Sequence, residues 1–233
     1  MCGRFVVTES SQDLIELFDI DQAAAELPGP SYNVRPTDQV PVILESAKSE
    51  PVVRRLESAR WSLVPSFAKE LASKYPTFNA RSEEVASKAT FAASVVSRRA
   101  IIPATGYYEW HTEGTQKTPY FIHSASDVPI AFAGLYSWWK DESLPPEDPA
   151  RWVLSATILT RDAIGELAGL HPRTPVMLPP EFWDTWLDPH EPGDQSFVDA
   201  AVDASTDMFD DLVFHEVGPV KDDGPQLIEP VAG

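Results

Sequence analysis

Ala100-Ile101-Ile102-Pro103-Ala104-Thr105-Gly106-Tyr107-Tyr108-Glu109-Trp110 is the stretch on which the fold turns. Ala100 to Ala104 is a short apolar run that reads as a strand, and Gly106 reads as a turn after it. The same texture extends in both directions. Val40 to Leu44 and Val52 to Leu56 read as a strand pair, and Arg60 to Ser66 is a short apolar segment. Pro119 to His123, Ile130 to Trp138 and Trp152 to Leu159 are further strands. Between them, 26–37 is a loop holding Pro28-Gly29-Pro30 and Pro36, and 140–150 is a polar turn insert. Ser10-Ser11-Gln12-Asp13 has the form of a capping box, and Leu14, Ile15, Leu17 and Phe18 follow at helical spacing, so 10–19 is a helix. Ser82 caps a short helix from Glu83 to Ala89. Arg161 to Ala168, Pro180 to Leu187 and Gln195 to Ala204 are also helical, with Pro180 in a first turn. Strands and helices mix without a regular βαβ alternation. The expectation is an α+β domain with a curved, mainly antiparallel, barrel-like sheet and short flanking helices, running as one unit over 2–233.

Composition narrows the function classes. The chain has 233 residues, 43% of them hydrophobic, with seven Trp and one Cys. That length supports a sizeable core without staples. One cysteine excludes an intramolecular disulfide framework and a thiolate-rich metal site, and suits a reducing cytosol. No secretory leader or apolar span of membrane length is visible, so a cytoplasmic protein is expected. Net charge is −18, which by itself argues against nucleic acid. The acid is unevenly spread: residues 1–120 carry 13 basic and 15 acidic side chains, and residues 121–233 carry 5 and 21. A basic groove built from the first half remains compatible with this balance.

Five places carry chemistry. Cys2 follows the initiator Met1 directly. Removal of Met1 leaves an α-amine and a thiol on one residue, a 1,2-aminothiol that closes a thiazolidine ring with an aldehyde; a small residue at a frayed end is the plain alternative. Free thiols and α-amines titrate near 8.5 and 7.7–8.0, so both are partly reactive at neutral pH. Glu109 sits between aromatics, where an apolar setting raises a carboxyl into the range useful for proton transfer; on an edge strand it would instead face water. His171 and Arg173, in Gly169-Leu170-His171-Pro172-Arg173-Thr174, suit proton transfer and phosphate binding, or simply satisfy loop carbonyls. Asn79 and Arg81 precede a helix start, as a turn residue and a surface cation or as site residues. Tyr32-Asn33-Val34-Arg35-Pro36-Thr37, with Trp61 to Phe67 after it, mixes arginine, proline and aromatics as a single-strand platform would, and as a packed core would.

Taken in order, Met1-Cys2-Gly3-Arg4-Phe5, Tyr32-Asn33-Val34-Arg35-Pro36, Trp61-Ser62-Leu63-Val64-Pro65, Asn79-Ala80-Arg81, Gly106-Tyr107-Tyr108-Glu109-Trp110 and His171-Pro172-Arg173-Thr174-Pro175 resemble the SRAP family (SOS response-associated peptidase). The resemblance runs from residue 2 to the tail Gln226-Leu227-Ile228-Glu229-Pro230. It implies a shield for abasic sites in single-stranded DNA, in which Cys2 joins the ring-opened sugar as a thiazolidine. It further implies that Asn79 holds the cysteine and sugar, Glu109 shuttles protons, and His171 assists ring opening and reversal. Arg4, Arg81 and Arg173 match phosphate-contacting arginines; Pro36, Phe67 and Trp110 match apolar positions along the DNA path. No cofactor or metal is implied, and a monomer is expected. The tail departs from the family pattern: Val213 to Asp223 carries apolar or acidic residues in place of hydroxyls and amides. Rival readings are an N-terminal-nucleophile amidohydrolase, a cysteine peptidase using Cys2, Glu109 and His171, and a noncovalent single-strand binder. The Arg-Trp-Ala-Thr-His-Gly-like and Asn-Gly-Asp/Glu segments that the amidotransferase branch of the first needs are missing.

Overall fold

The computed structural model describes residues 2–48, 50–72 and 74–231. Its strands, in chain order, are β1 (Phe5–Val7), β2 (Gln22–Ala23), β3 (Ser31–Val34), β4 (Gln39–Leu44), β5 (Arg55–Trp61) and β6 (Asn79–Arg81). They continue with β7 (Arg99–Ala104), β8 (Gly106–Glu113), β9 (Gln116–Ser124), β10 (Ile130–Lys140), β11 (Trp152–Asp162), β12 (Arg173–Pro175) and β13 (Leu212–Glu216). The helices are α1 (Ser11–Leu17), α2 (Ala92–Ser97), α3 (Leu167–Leu170), α4 (Trp183–Leu187) and α5 (Gln195–Ala204).

Two sheets form, and the stretch quoted first joins them. β7 lies in the larger sheet and β8 in the smaller, with Thr105 alone between them. In the larger sheet the neighbours β11-β10-β7-β4-β5 are antiparallel, and β5 returns to β11 in parallel, Arg60 opposite Ser155 and Trp61 opposite Ala156. The path therefore closes on itself as a barrel-like ring, which leaves those strands no free edge. The smaller sheet has the order β13-β9-β8-β1-β3 and is antiparallel throughout. The α+β architecture expected from the sequence is the one observed.

Period-two alternation sorts the core. Val40, Val42, Leu44, Ala100 and Ile102 share one buried cluster with Phe5, Trp61 and Phe132. Their neighbours Ile43 and Ile101 turn to the opposite face, into a second cluster with Leu56, Leu135, the helix residues Leu14, Trp186 and Val198, and Phe18 just after α1. Alternating strand residues face opposite ways, so the barrel strands bury both faces. Phe5 bridges the two sheets, its ring edge-on to Trp61 at 4.8 Å. Arg99 is buried in the helix-covered layer and donates to the carbonyls of Trp186, Val95, Val96, Asp188 and Glu191. α1 begins as expected: Ser10 and Asp13 exchange side-chain bonds with each other's backbone N–H. Among the described residues no helix is long and apolar enough to cross a membrane.

The structure corrects several local expectations. Gly106 makes no turn but lies extended in β8, where a Cβ would stand 2.5 Å from Ile122 O and from the Phe121 ring; close approach, not chain reversal, requires glycine there. The segment 26–37 contains β3, whose strand character comes from pairing with β1 rather than from its own composition. One strand, β5, replaces the two segments expected over 52–56 and 60–66, because pairing with β4 runs unbroken from Arg55 to Arg60, through the polar residues Glu57 and Ser58. Residues 161 and 162 stay in β11, held by β12, and only α3 remains of the helix expected from Arg161 to Ala168. Ser82 lies inside a 3-10 turn, Ser82–Ser87, and makes no capping bond; α2 follows it unforeseen. In the tail, Val213 to Glu216 fall within β13, fully paired with β9.

Candidate active site

The end of β11 collects the site. On one edge it pairs with β6 in parallel, Thr160 opposite Arg81; on the other it pairs with β12, Thr160 opposite Pro175 and Asp162 opposite Arg173. β6 is fixed from behind by Trp61, whose indole N–H donates to Phe78 O at 2.8 Å. Asn79 can then reach the start of β1. Its Nδ2 donates to Cys2 O at 2.6 Å, across 77 residues of chain. Asn79 Oδ1 is buried and, among the described residues, accepts no hydrogen bond.

β8 supplies the opposite wall. It pairs with β1, Phe5 opposite Tyr107, and Tyr108 N donates to Arg4 O at 3.0 Å. Glu109 is therefore on an interior strand, only 4% exposed, and does not face water at an edge. Burial pushes its carboxyl up to about 7, because desolvation disfavours the charged form. Cys2 is fully buried, its Sγ 3.6 Å from Arg4 O. Burial, and after it the nearby Glu109 charge, raise the thiol well above its usual range. Met1, whose removal the sequence suggests, lies outside the described residues.

His171 caps the C-terminal end of α3 and reaches Glu109, its Nδ1 3.7 Å from Glu109 Oε1. The same Nδ1 is 2.9 Å from Arg173 O and 3.1 Å from Arg173 N. Those two contacts call for opposite protonation of Nδ1, so the ring can hold or lack that proton without moving. Desolvation lowers the imidazole below its ordinary value, which keeps it neutral near pH 7. The site thus pairs a carboxyl poised near neutrality with an uncharged imidazole, beside a sulfur that is protonated.

The remaining sequence-predicted residues fall into separate places. Arg4 is half-buried, two residues beyond the cysteine, and donates to Asn33 Oδ1 at 2.7 Å. Arg81 is exposed and lines a cleft of about 620 Å³ with Thr77, Asn79, Glu83, Asp162 and Arg173. Trp110 shares a smaller groove with Glu109, Thr112, Lys117 and His171. Pro36 follows β3 in a turn closed by Asp38 N donating to Arg35 O. Phe67 is 67% exposed but lines a different groove, with Trp138, Trp139 and Trp152. Arg173 is the least available cation: it pairs with Glu83 and Asp162 and donates to Thr160 O, leaving its side chain 11% exposed. A phosphate reaching it has to displace those carboxylates.

Sequence reasoning missed Asn33, Lys117, Tyr107 and Thr174. Tyr107 lies two residues before Glu109 in β8, on the same strand face, and shares a 2.9 Å hydrogen bond with Thr174 Oγ1. That two-residue spacing is the one signal that was legible. Lys117 and Asn33 come from neighbouring strands and carry no local signal.

Three comparisons bear on this arrangement. The sequence model of the family described as SOS response associated peptidase (SRAP) matches residues 1–220. A Bacillus subtilis protein named abasic site processing protein YoqW is 34% identical, over 98% of this chain and 99% of its own length. Escherichia coli YedK, named in the same way, is 32% identical over 99% and 100%. A crystal structure of a Bacteroides thetaiotaomicron protein superposes with a TM-score of 0.80 at 18% identity, covering 99% of this chain and all of that one, a likeness of fold. Because the sequence match spans nearly the whole barrel and both walls around Cys2, the chain belongs to the SRAP family.

Proposed function

We propose that this protein captures abasic sites in single-stranded DNA by forming a thiazolidine between Cys2 and the ring-opened sugar, after Met1 has been removed. The observation that carries the reading is the placement of Cys2: its carbonyl is held by Asn79 at 2.6 Å, and it lies beside a buried carboxyl titrating at about 7. The names of the relatives, abasic site processing proteins, support the substrate class.

The chemistry balances without a cofactor. The α-amine of Cys2 adds to the sugar aldehyde and expels one water, giving an imine. The S–H then adds across the C=N bond, sulfur to carbon and proton to nitrogen, and the five-membered ring closes. A protonated thiol suits this order, since the amine acts first and sulfur is needed only afterwards. Water loss needs an acid and amine attack needs a base; a carboxyl near its midpoint at neutral pH serves as both. His171, 3.7 Å from Glu109, moves the proton that opens the closed sugar. Arg4, Arg81 and, once freed of its carboxylates, Arg173 hold flanking phosphates, while Pro36, Phe67 and Trp110 receive bases and sugar. Bound strand holds aldehyde and amine together, which raises their effective concentration greatly. A cysteine peptidase would want a lowered thiol, opposite to the direction found here.

The test uses the mature protein, with loss of Met1 verified by mass, and a single-stranded oligonucleotide carrying one abasic site. A denaturing gel should show a DNA–protein band that Cys2→Ala lacks while remaining folded. A wild-type lane without that band overturns the proposal, and glutamine or peptide hydrolysis in its place assigns the amidohydrolase or peptidase reading.

A further inference from the structure

The tail that departs from the family pattern ends in a hydrogen-bonded chain leading to Arg4. Asp223 accepts twice from β3: from Tyr32 N at 2.7 Å through Oδ1, and from Ser31 Oγ at 2.9 Å through Oδ2. Ser31 Oγ in turn accepts from Asn33 N at 3.1 Å. The preceding residue, Asp222, presents its carbonyl to Asn33 Nδ2. It does so with a φ of 60°, in the left-handed region that Asp tolerates better than most residues. Asn33 is 4% exposed. With its NH₂ committed to the tail, its Oδ1 must face the other way, and there it accepts from Arg4 Nη1 at 2.7 Å. The tail itself is packed and anchored. Val217 and Leu227 are buried with Val6 and Tyr108, and Val231 N donates to Glu216 O at 3.1 Å.

We propose that Asp222 and Asp223 form a positioning strap that acts through Asn33 to aim the Arg4 guanidinium at the phosphate beside the reactive cysteine. This rests on the function proposed above. Neither aspartate touches DNA in this scheme: Asp223 locks β3, the Asp222 carbonyl selects the orientation of the Asn33 amide, and that amide fixes Arg4. An Asn33 turned the other way would present NH₂ to a guanidinium, donor against donor. The strap therefore ties the acidic tail to Arg4, two residues beyond Cys2.

The experiment measures noncovalent binding of a single-stranded oligonucleotide bearing a tetrahydrofuran abasic analogue, which has no aldehyde, over a salt series. Arg4→Ala should weaken binding about tenfold, the loss of one charge-assisted hydrogen bond, and should lower the salt slope by about 0.7. Asp223→Ala should reproduce both changes, Asp223→Asn should restore binding, and the double variant Arg4→Ala/Asp223→Ala should match Arg4→Ala alone. Unchanged binding in Asp223→Ala overturns the strap, as does a double variant weaker than Arg4→Ala by the full Asp223→Ala factor. A DNA-free measurement separates the strap from the proposed function. The side-chain ¹⁵N signals of Arg4 should show slowed rotation in wild type and lose it in Asp223→Ala, with the rest of the spectrum retained. If those signals respond while abasic DNA gives no covalent band, the strap stands and the proposed function falls. If they do not respond, the strap falls whatever the DNA result.

Discussion

Replacing Glu109 with Gln keeps the shape of the buried side chain and removes its charge. In the unfolded chain this carboxyl titrates near 4.5, and in the folded protein burial brings it to about 7. Between those values the folded protein retains a proton that the unfolded chain has released. The stability this lends is complete below the unfolded value and is lost as pH rises through the folded one. At 1.36 kcal/mol per pH unit the displacement is worth about 3 kcal/mol, and at 4% exposure solvent screening takes little from it. Gln has no proton to lose. The stability of Glu109→Gln relative to wild type should therefore rise by about 3 kcal/mol between about pH 4 and about pH 8, with the change centred between the two titration points. Urea unfolding at stepped pH, read by tryptophan fluorescence, measures this difference directly, and titrations common to both proteins cancel. The same variant should crosslink abasic DNA slowly, with no rate inflection near pH 7, whereas wild type should show one. A stability difference constant to within about 0.5 kcal/mol across that range would refute the buried-carboxyl argument, and with it the physical basis for Glu109 as a proton carrier.

Three further outcomes are expected. Asn79→Asp replaces the donor to Cys2 O with an acceptor and should cost about 1–3 kcal/mol while slowing crosslinking more than it weakens DNA binding; equal losses in rate and affinity would count against a role in holding the cysteine. Arg99→Lys cannot reproduce a planar fork that serves five carbonyls, so a loss of about 3 kcal/mol or more is expected in thermal or urea unfolding, and a loss under about 1 kcal/mol would contradict that assignment. Gly106→Ala places a methyl 2.5 Å from Ile122 O and should destabilise by about 1–3 kcal/mol, lowering the crosslinking rate as β8 shifts; a neutral result would show that β8 and β9 part without cost.

Local signals were read correctly where a segment makes its own bonds or is a long, largely apolar run. The capping box at Ser10 and Asp13 and the helix Gln195–Ala204 depend on residues a few positions apart, the run Ile130 to Trp138 declares itself by composition, and each appears where expected. Cys2, Asn79, Glu109 and His171, singled out through motifs in a fixed order, lie close together in the fold. What failed were segments whose state is set by a distant partner. β3 is a strand because β1 lies beside it, and residues 161–162 are strand because β12 does.

The chain by itself determined which residue types are available: a lone cysteine beside the initiator, a carboxyl among aromatics, a histidine two residues before an arginine, and apolar runs of strand length. Tertiary structure alone decided their relations. Pairing of β6 with β11 delivers Asn79 to Cys2, burial raises the Glu109 carboxyl, two carboxylates claim Arg173, and the acidic tail reaches back to Arg4 through Asn33. Each of these joins residues far apart in sequence, and periodicity over a few residues records which face a side chain takes without recording what stands opposite it.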